Sequence, residues 1–159
     1  MSALPILYVE DDENDGFLLR RAFLKAGIPN PLEVVTDGNE AIEYLSGLGT
    51  FAKRRLPHLV FLDLKLPFKT GFEVLAWLRQ QPALHTIPVI ILTSSTQESD
   101  VHKAYALGAN AYLVKPPGAE ELSELVGTVR AFWLTLNMNP PDALAFRDSD
   151  DKAAPKSHL

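Results

Sequence analysis

"VFLDLKLP", residues 60–67, is the stretch that decides the fold. Its first three residues are wholly apolar, the mark of a strand buried on both faces, yet the run delivers a carboxylate, Asp63, at its tip before Leu and Lys alternate to Pro67. Asp63 is therefore either a cap for the next segment of chain or a reagent. Comparable runs occur at "PILYVE" (5–10), "LEVVT" (32–36), "HLVFLD" (58–63), "IPVIILT" (87–93) and "AYLV" (111–114). Each is too short for a helix and is followed by a turn signal, which gives five candidate strands.

Helical patterns fill the intervals. Leu18, Leu19, Ala22, Phe23 and Ala26 recur at helical spacing and stop at Gly27 and Pro29, and Asp37 with Glu40 reads as a capping box opening "AIEYL". "GFEVLAWLRQ" supplies a third helix, Ser95 with Glu98 caps a fourth that ends at Gly108, and Leu122, Leu125, Val126, Val129, Phe132 and Leu136 mark a long fifth. Strict alternation of this kind predicts an α/β fold, a doubly wound five-stranded parallel sheet with helices on both faces and right-handed crossovers. Residues 46–57, "SGLGTFAKRRLP", exceed the usual connection and are expected to form a surface excursion. The pattern ends at Leu136. That gives one domain over 1–136 and a polar tail over 137–159, with an apolar patch at Ala143 to Phe146.

Composition narrows the function. A chain of 159 residues, 47% hydrophobic, suits a single globular domain with a substantial core. The formal net charge of -5, with acids spread along the chain, argues against a nucleic-acid partner, and the cluster Lys53, Arg54, Arg55 reads as a solvated loop. The absence of cysteine excludes a disulfide framework and thiolate metal sites. Acids follow the N-terminus too soon for a signal peptide, and no apolar run approaches the roughly 20 residues of a membrane span. A cytoplasmic protein with no membrane partner is expected. His58, His85, His102 and His158 show no ligand spacing on one face and read as surface or packing residues.

Ligands of an open α/β sheet bind beyond the carboxyl ends of the strands. There the first strand delivers Glu10, Asp11 and Asp12; the third, Asp63; the fourth, Thr93, Ser94 and Ser95; the fifth, Lys115, followed by Pro116 and Pro117. Carboxylates about 4 Å apart at an effective dielectric of about 20 repel by about 4 kcal/mol per pair, so a cation must compensate them. A hard divalent ion suits oxygen-only ligands, and Mg²⁺ shared between Asp11 and Asp63 leaves room for a phosphate oxygen. A phosphoryl group at Asp63 would then meet the Lys115 ammonium and the Thr93 hydroxyl, with Asp63 as nucleophile. Each piece alone has a plainer reading: the acids as helix-dipole partners, Asp63 as a turn former, Thr93 to Thr96 as a cap, Lys115 as a solvated side chain. Their convergence on one rim favours the chemical one.

On these residues the sequence resembles the receiver domain of two-component response regulators. The resemblance spans about residues 4–136 and rests on "ILYVEDDE", "VFLDLKLP", "GFEVL", "PVIILTSS" and "ALGANAYLVKP" in that order. It implies strand order 2-1-3-4-5 in a flavodoxin-like fold. It makes Glu10 and Asp11 the acid pair of a Mg²⁺ site, Asp63 the phosphoacceptor, Thr93 the switch hydroxyl, Tyr112 the switch aromatic and Lys115 the phosphate-binding lysine. It adds the backbone carbonyl of Lys65 as a metal ligand, Asp12, Lys65 and Ser95 as modulators, and a cis peptide before Pro116. A sensor histidine kinase is the implied partner. Lys65 departs from the smaller polar residue often found two positions past the nucleophile, which bears on phosphate lifetime rather than on ligation.

About 23 residues follow Leu136, too few for a DNA-binding output domain, so a stand-alone receiver is expected. The long loop before the third strand and "AFWLTLN" at residues 131–137 are similar to the stand-alone regulators paired with bacterial phytochromes. Three alternatives stand beside this reading. A flavodoxin-like cofactor binder would need a phosphate loop where this chain has "EDDEND"; an aspartyl phosphatase would want a second Asp at Lys65; a pseudo-receiver would interact without phosphorylation. Phe132, Trp133, Leu134 and Leu136 cannot all face inward from one helix, so either the tail folds back over them with Leu144 and Phe146, or two copies pair through the fifth helix and tail. The homodimer is the favoured expectation.

Overall fold

The structure is a computed structural model that describes residues 3–141. Five parallel strands, β1 (Ile6–Val9), β2 (Leu32–Val35), β3 (Leu59–Leu62), β4 (Val89–Thr93) and β5 (Ala111–Val114), stand in the order β2-β1-β3-β4-β5. The helices between and after them are α1 (Glu13–Lys25), α2 (Gly38–Ser46), α3 (Gly71–Gln80), α4 (Glu98–Ala106) and α5 (Ala119–Ala131). The strands alternate their side chains between two cores, as a period of two requires. Leu7, Val9, Val60, Leu62, Val89 and Ile91 face α2, α3 and Ala104 of α4; Ile6, Tyr8, Leu59, Phe61, Ile90 and Leu92 face α1 and α5. The order reverses between β1 and β3, which puts Glu10 and Asp63 side by side at the switch point.

Several local features depart from the pattern read in the sequence. Asp37 accepts from Glu40 N at 2.7 Å as expected, but the Glu40 carboxylate returns to Thr36 N at 3.1 Å, one residue before the cap, so the box is open on one side. The complete capping box belongs to α3, where Thr70 and Glu73 satisfy each other. Ser95 does not cap α4, whose N-cap is Gln97 with no side-chain bond. Lying two residues too early, its hydroxyl accepts from Gln97 N and donates to Asp100 Oδ2 at 2.6 Å. No cis peptide occurs among the described residues, including the bond before Pro116; trans is the lower-energy isomer of an X–Pro bond, and Lys115 reaches the site from it.

The excursion at 46–57 is partly ordered. Gly49–Phe51 form a 3₁₀ turn, the Phe51 ring meets Tyr44 edge-on at 5.1 Å, and Arg54, expected in solvent, donates to the Tyr44 and Leu45 carbonyls at 2.8 and 2.7 Å. The fifth helix changes character at its end. Phe132–Leu136 wind as a π-helix, closed by Asn137 N to Phe132 O at 2.7 Å, and the wider turn rotates the apolar series out of register. Trp133 and Leu134 therefore pack on the core, whereas Phe132 and Leu136 are exposed, so the four do not all face inward.

Arg79 ties the opposite end of the sheet from the switch point. Its guanidinium donates to the carbonyls of Gly108, His85 and Ile87 and to Asn110 Oδ1, all within 2.9 Å, joining α3, the start of β4 and the turn into β5. At that same end Asn139 donates to His58 O at 2.7 Å, so the first tail residues pass beneath β3. Leu144, Phe146 and His158 lie outside the described residues.

Candidate functional site

Four strand ends converge as the sequence predicted. Asp63 follows β3 and is 6% exposed; its Oδ1 accepts from Leu64 N at 2.7 Å and Lys65 N at 3.4 Å, which fixes the carboxylate plane. Glu10 follows β1, is 2% exposed, and accepts from Asp12 N and from the buried Tyr8 hydroxyl, which shares its face of β1. Asp11 is exposed, yet Glu10, Asp11 and Asp63 each offer an oxygen within 4.8 Å of the others. Asp12 is the N-cap of α1, accepting from Asp15 N at 2.9 Å, so for this one residue the plain capping role applies.

Lys115 closes the cluster. Its ammonium reaches Glu10 Oε2 at 2.7 Å, Asp63 Oδ2 at 2.9 Å and Asp15 Oδ2 at 2.9 Å, using all three donors. Asp15 was not singled out in the sequence. The available signal was its place in the first turn of α1, where helical side chains lean back toward the N-terminus and so over the strand ends. Gly71 holds the loop after β3 close: a Cβ there would collide with the Asp63 carbonyl oxygen, so α3 begins against the site with no room for a side chain.

The Thr93 hydroxyl is fully buried, near enough to Asp63 to favour its charged form, and has no hydrogen-bond partner of its own among the described residues. Beyond it, Tyr112 donates its hydroxyl to Ser95 O at 3.0 Å, linking β5 to the loop after β4. Burial pushes the Tyr112 phenol up. Lys65 points its charge into solvent, with no ion pair among the described residues.

Burial and charge sort the carboxyls. Burial pushes Glu10 up to about 8, the adjoining Asp63 carboxylate adding to the rise and Lys115 opposing it. Asp63 feels the same penalty, but the adjoining Glu10 and the Lys115 ammonium that donates to it hold it below the usual carboxylate range. The Lys115 ammonium, although half-buried, is raised by its three partners.

This sorting fixes a pH profile for the metal-free protein. Between the unfolded-state value of 4.5 and the folded value of about 8 for Glu10, the unfolded chain has lost a proton that the folded chain retains, so stability falls as pH rises across that window. Asp63 works in the other sense: its contribution is present above 3.8 and lost as pH falls below it. Lys115 contributes below 10.5 and loses its contribution only above. Metal-free stability is expected to peak at about pH 4, between the ordinary values of 3.8 for Asp63 and 4.5 for Glu10, and Glu10→Gln to flatten the limb from there to about pH 8. Urea midpoints across that range, in chelator, check this; a flat wild-type profile would refute it.

The donor set fits a divalent cation: oxygens only, two of the three nearly buried, with an exposed carboxylate facing solvent. Residues 6–127 match the family model described as "Response regulator receiver domain". The chain is 39% identical over 138 residues to the probable methanogenesis regulatory protein FilR2 of Methanothrix harundinacea, covering 87% of this chain and 88% of that one. It is also 39% identical to the response regulator Rcp1 of Synechocystis, over 81% of this chain and 88% of its relative. The crystal structure of the phosphorylated cyanobacterial phytochrome response regulator RcpA superposes with a TM-score of 0.81 at 35% identity, over 87% of this chain and 99% of that one. With the strand order, the acid cluster and its lysine all in place, the chain belongs to the response regulator receiver family.

Proposed function

We propose that the protein accepts one phosphoryl group from the phosphohistidine of a sensor histidine kinase onto Asp63, and signals by the resulting change in its surface. The observation that carries this reading is the Lys115 ammonium bridging Asp63 and Glu10 within 2.9 Å at the mouth of the acid cluster. A carboxylate oxygen of Asp63 forms a bond to phosphorus as the bond from phosphorus to the donor nitrogen breaks, and the departing imidazole takes its proton from solvent. Glu10, Asp11, Asp63 and the backbone carbonyl of Lys65 would hold Mg²⁺, which supplies positive charge opposite the phosphoryl oxygens. Lys115 offers its ammonium to another of those oxygens.

Thr93 is the switch. A phosphoryl oxygen would give its buried hydroxyl the partner it lacks, drawing the loop after β4 inward and with it Ser95, whose carbonyl holds Tyr112. Asp12, Ser95 and Lys65 modulate the chemistry from the rim, through the α1 cap, the bond to Asp100 and an exposed charge. Intact mass after incubation with acetyl phosphate tests the reading: one added phosphoryl group with Mg²⁺ and none in chelator. Equal labelling in chelator would overturn it.

The likeness to RcpA and Rcp1 supports a bacterial phytochrome as the kinase. The exposed Phe132 and Leu136, in the turn that ends the fifth helix, support a homodimer through that helix and the tail. Light scattering is expected to find a dimer for the full chain and a weaker one for a chain ending at Asn137; a monomer at tens of micromolar would refute the pairing.

A further inference from the structure

Of the three carboxylates on the Lys115 ammonium, two belong to the set that would hold Mg²⁺ and one does not. Glu10 and Asp63 are in that set, with Asp11; Asp15 is not. The ammonium therefore holds one oxygen of each of two carboxylates that a divalent ion would use, and like charges at such spacing repel strongly. For the ion to enter, the ammonium must release Glu10 and Asp63, and as it leaves them its donors must find another acceptor or solvent.

We propose that Asp15 is a positioning residue that keeps Lys115 at the site while a divalent cation takes Glu10 and Asp63. Three observations support it. Asp15 Oδ2 is already bonded to Lys115 Nζ at 2.9 Å, so the retained contact needs no search. The Asp15 backbone is fixed by the Asp12 cap, which anchors the acceptor on a helix rather than on a loop. Its side chain is 34% exposed, against 2% for Glu10 and 9% for Asp63, so it lies on the solvent side, toward which an ammonium retreating from the metal would move. The lysine stem has four rotatable bonds and can pivot about this contact. Once phosphorylated, Asp63 would then find the ammonium close at hand instead of dispersed in water.

A plainer role for Asp15 is that of an acid in the first turn of α1, acting on Mg²⁺ only through its charge. The two roles differ in whether Lys115 is required. The inference rests on the Mg²⁺ site of the proposed function, and titration of the unphosphorylated full chain with Mg²⁺ by calorimetry separates their failures: wild-type protein that binds no Mg²⁺ overturns the site itself. Given binding, Asp15→Asn is expected to weaken the Mg²⁺ dissociation constant about tenfold, equivalent to about 1.4 kcal/mol, and Asp15→Glu to recover most of the loss. In a Lys115→Met background the same Asp15→Asn change should alter affinity less than about twofold. An equal loss in both backgrounds, or none in either, overturns the proposal. Should Lys115→Met not fold, a crystal structure of the Mg²⁺-loaded wild type decides: Lys115 Nζ bonded to Asp15 and withdrawn from Glu10 and Asp63 supports it, and an ammonium still on Glu10 and Asp63 overturns it.

Discussion

Asp63→Asn will remain folded and take up no phosphoryl group from acetyl phosphate in Mg²⁺. The amide keeps the shape of the carboxylate and its carbonyl oxygen can still accept from Leu64 N and Lys65 N, so the loop after β3 stays in place. What it loses is the nucleophilic oxygen pair, because a neutral amide does not form an acyl phosphate. Lys115 keeps Glu10 and Asp15, and the lost charge-assisted bond weakens stability by about 1–2 kcal/mol. Intact mass and urea denaturation on the same sample measure both outcomes. Normal labelling of the variant, at Asp11 or Asp12 for example, would remove Asp63 from its role.

Lys115→Met should produce the largest stability change, and one that Mg²⁺ reverses in part. The substitution keeps the length of the stem but leaves Glu10, Asp15 and Asp63 with no ammonium, and removing one partner from a buried charge cluster commonly costs about 3 kcal/mol. A divalent ion on the same oxygens would compensate the charge and stabilise the folded state by mass action. The variant should therefore gain more from Mg²⁺ in urea denaturation than the wild type does. Equal gains would mean that the ammonium and the ion do not share their acceptors.

The sequence carried the parts of this fold that local patterns determine. Apolar runs such as residues 59–62 and 89–93 are strands because both of their faces are buried, and the acids at their ends sit where the chain leaves the sheet. What depends on how elements are oriented was less legible. Asp15 reaches Lys115 only because of the angle at which α1 crosses the strand ends, and Tyr8 reads as core until its hydroxyl is seen to meet Glu10. The π-helical turn at Phe132–Leu136 lengthens the hydrogen-bond register by one residue, to which the periodicity of the apolar side chains is blind. Ser95 and Glu40 carried the right capping residues but used them one or two positions away from the helix start, within the uncertainty of helix boundaries.

Asn139 holds the foot of β3 through the His58 carbonyl, and Asp63 stands at its head. Five residue steps of extended chain place these points about 17 Å apart, with a strand of fully buried residues between them. A contact made at Asn139 is separated from the reacting atoms by the whole strand. A substitution at Asn139 or His58 can accordingly alter the foot of the strand while the acids and the lysine at its head stay as they are.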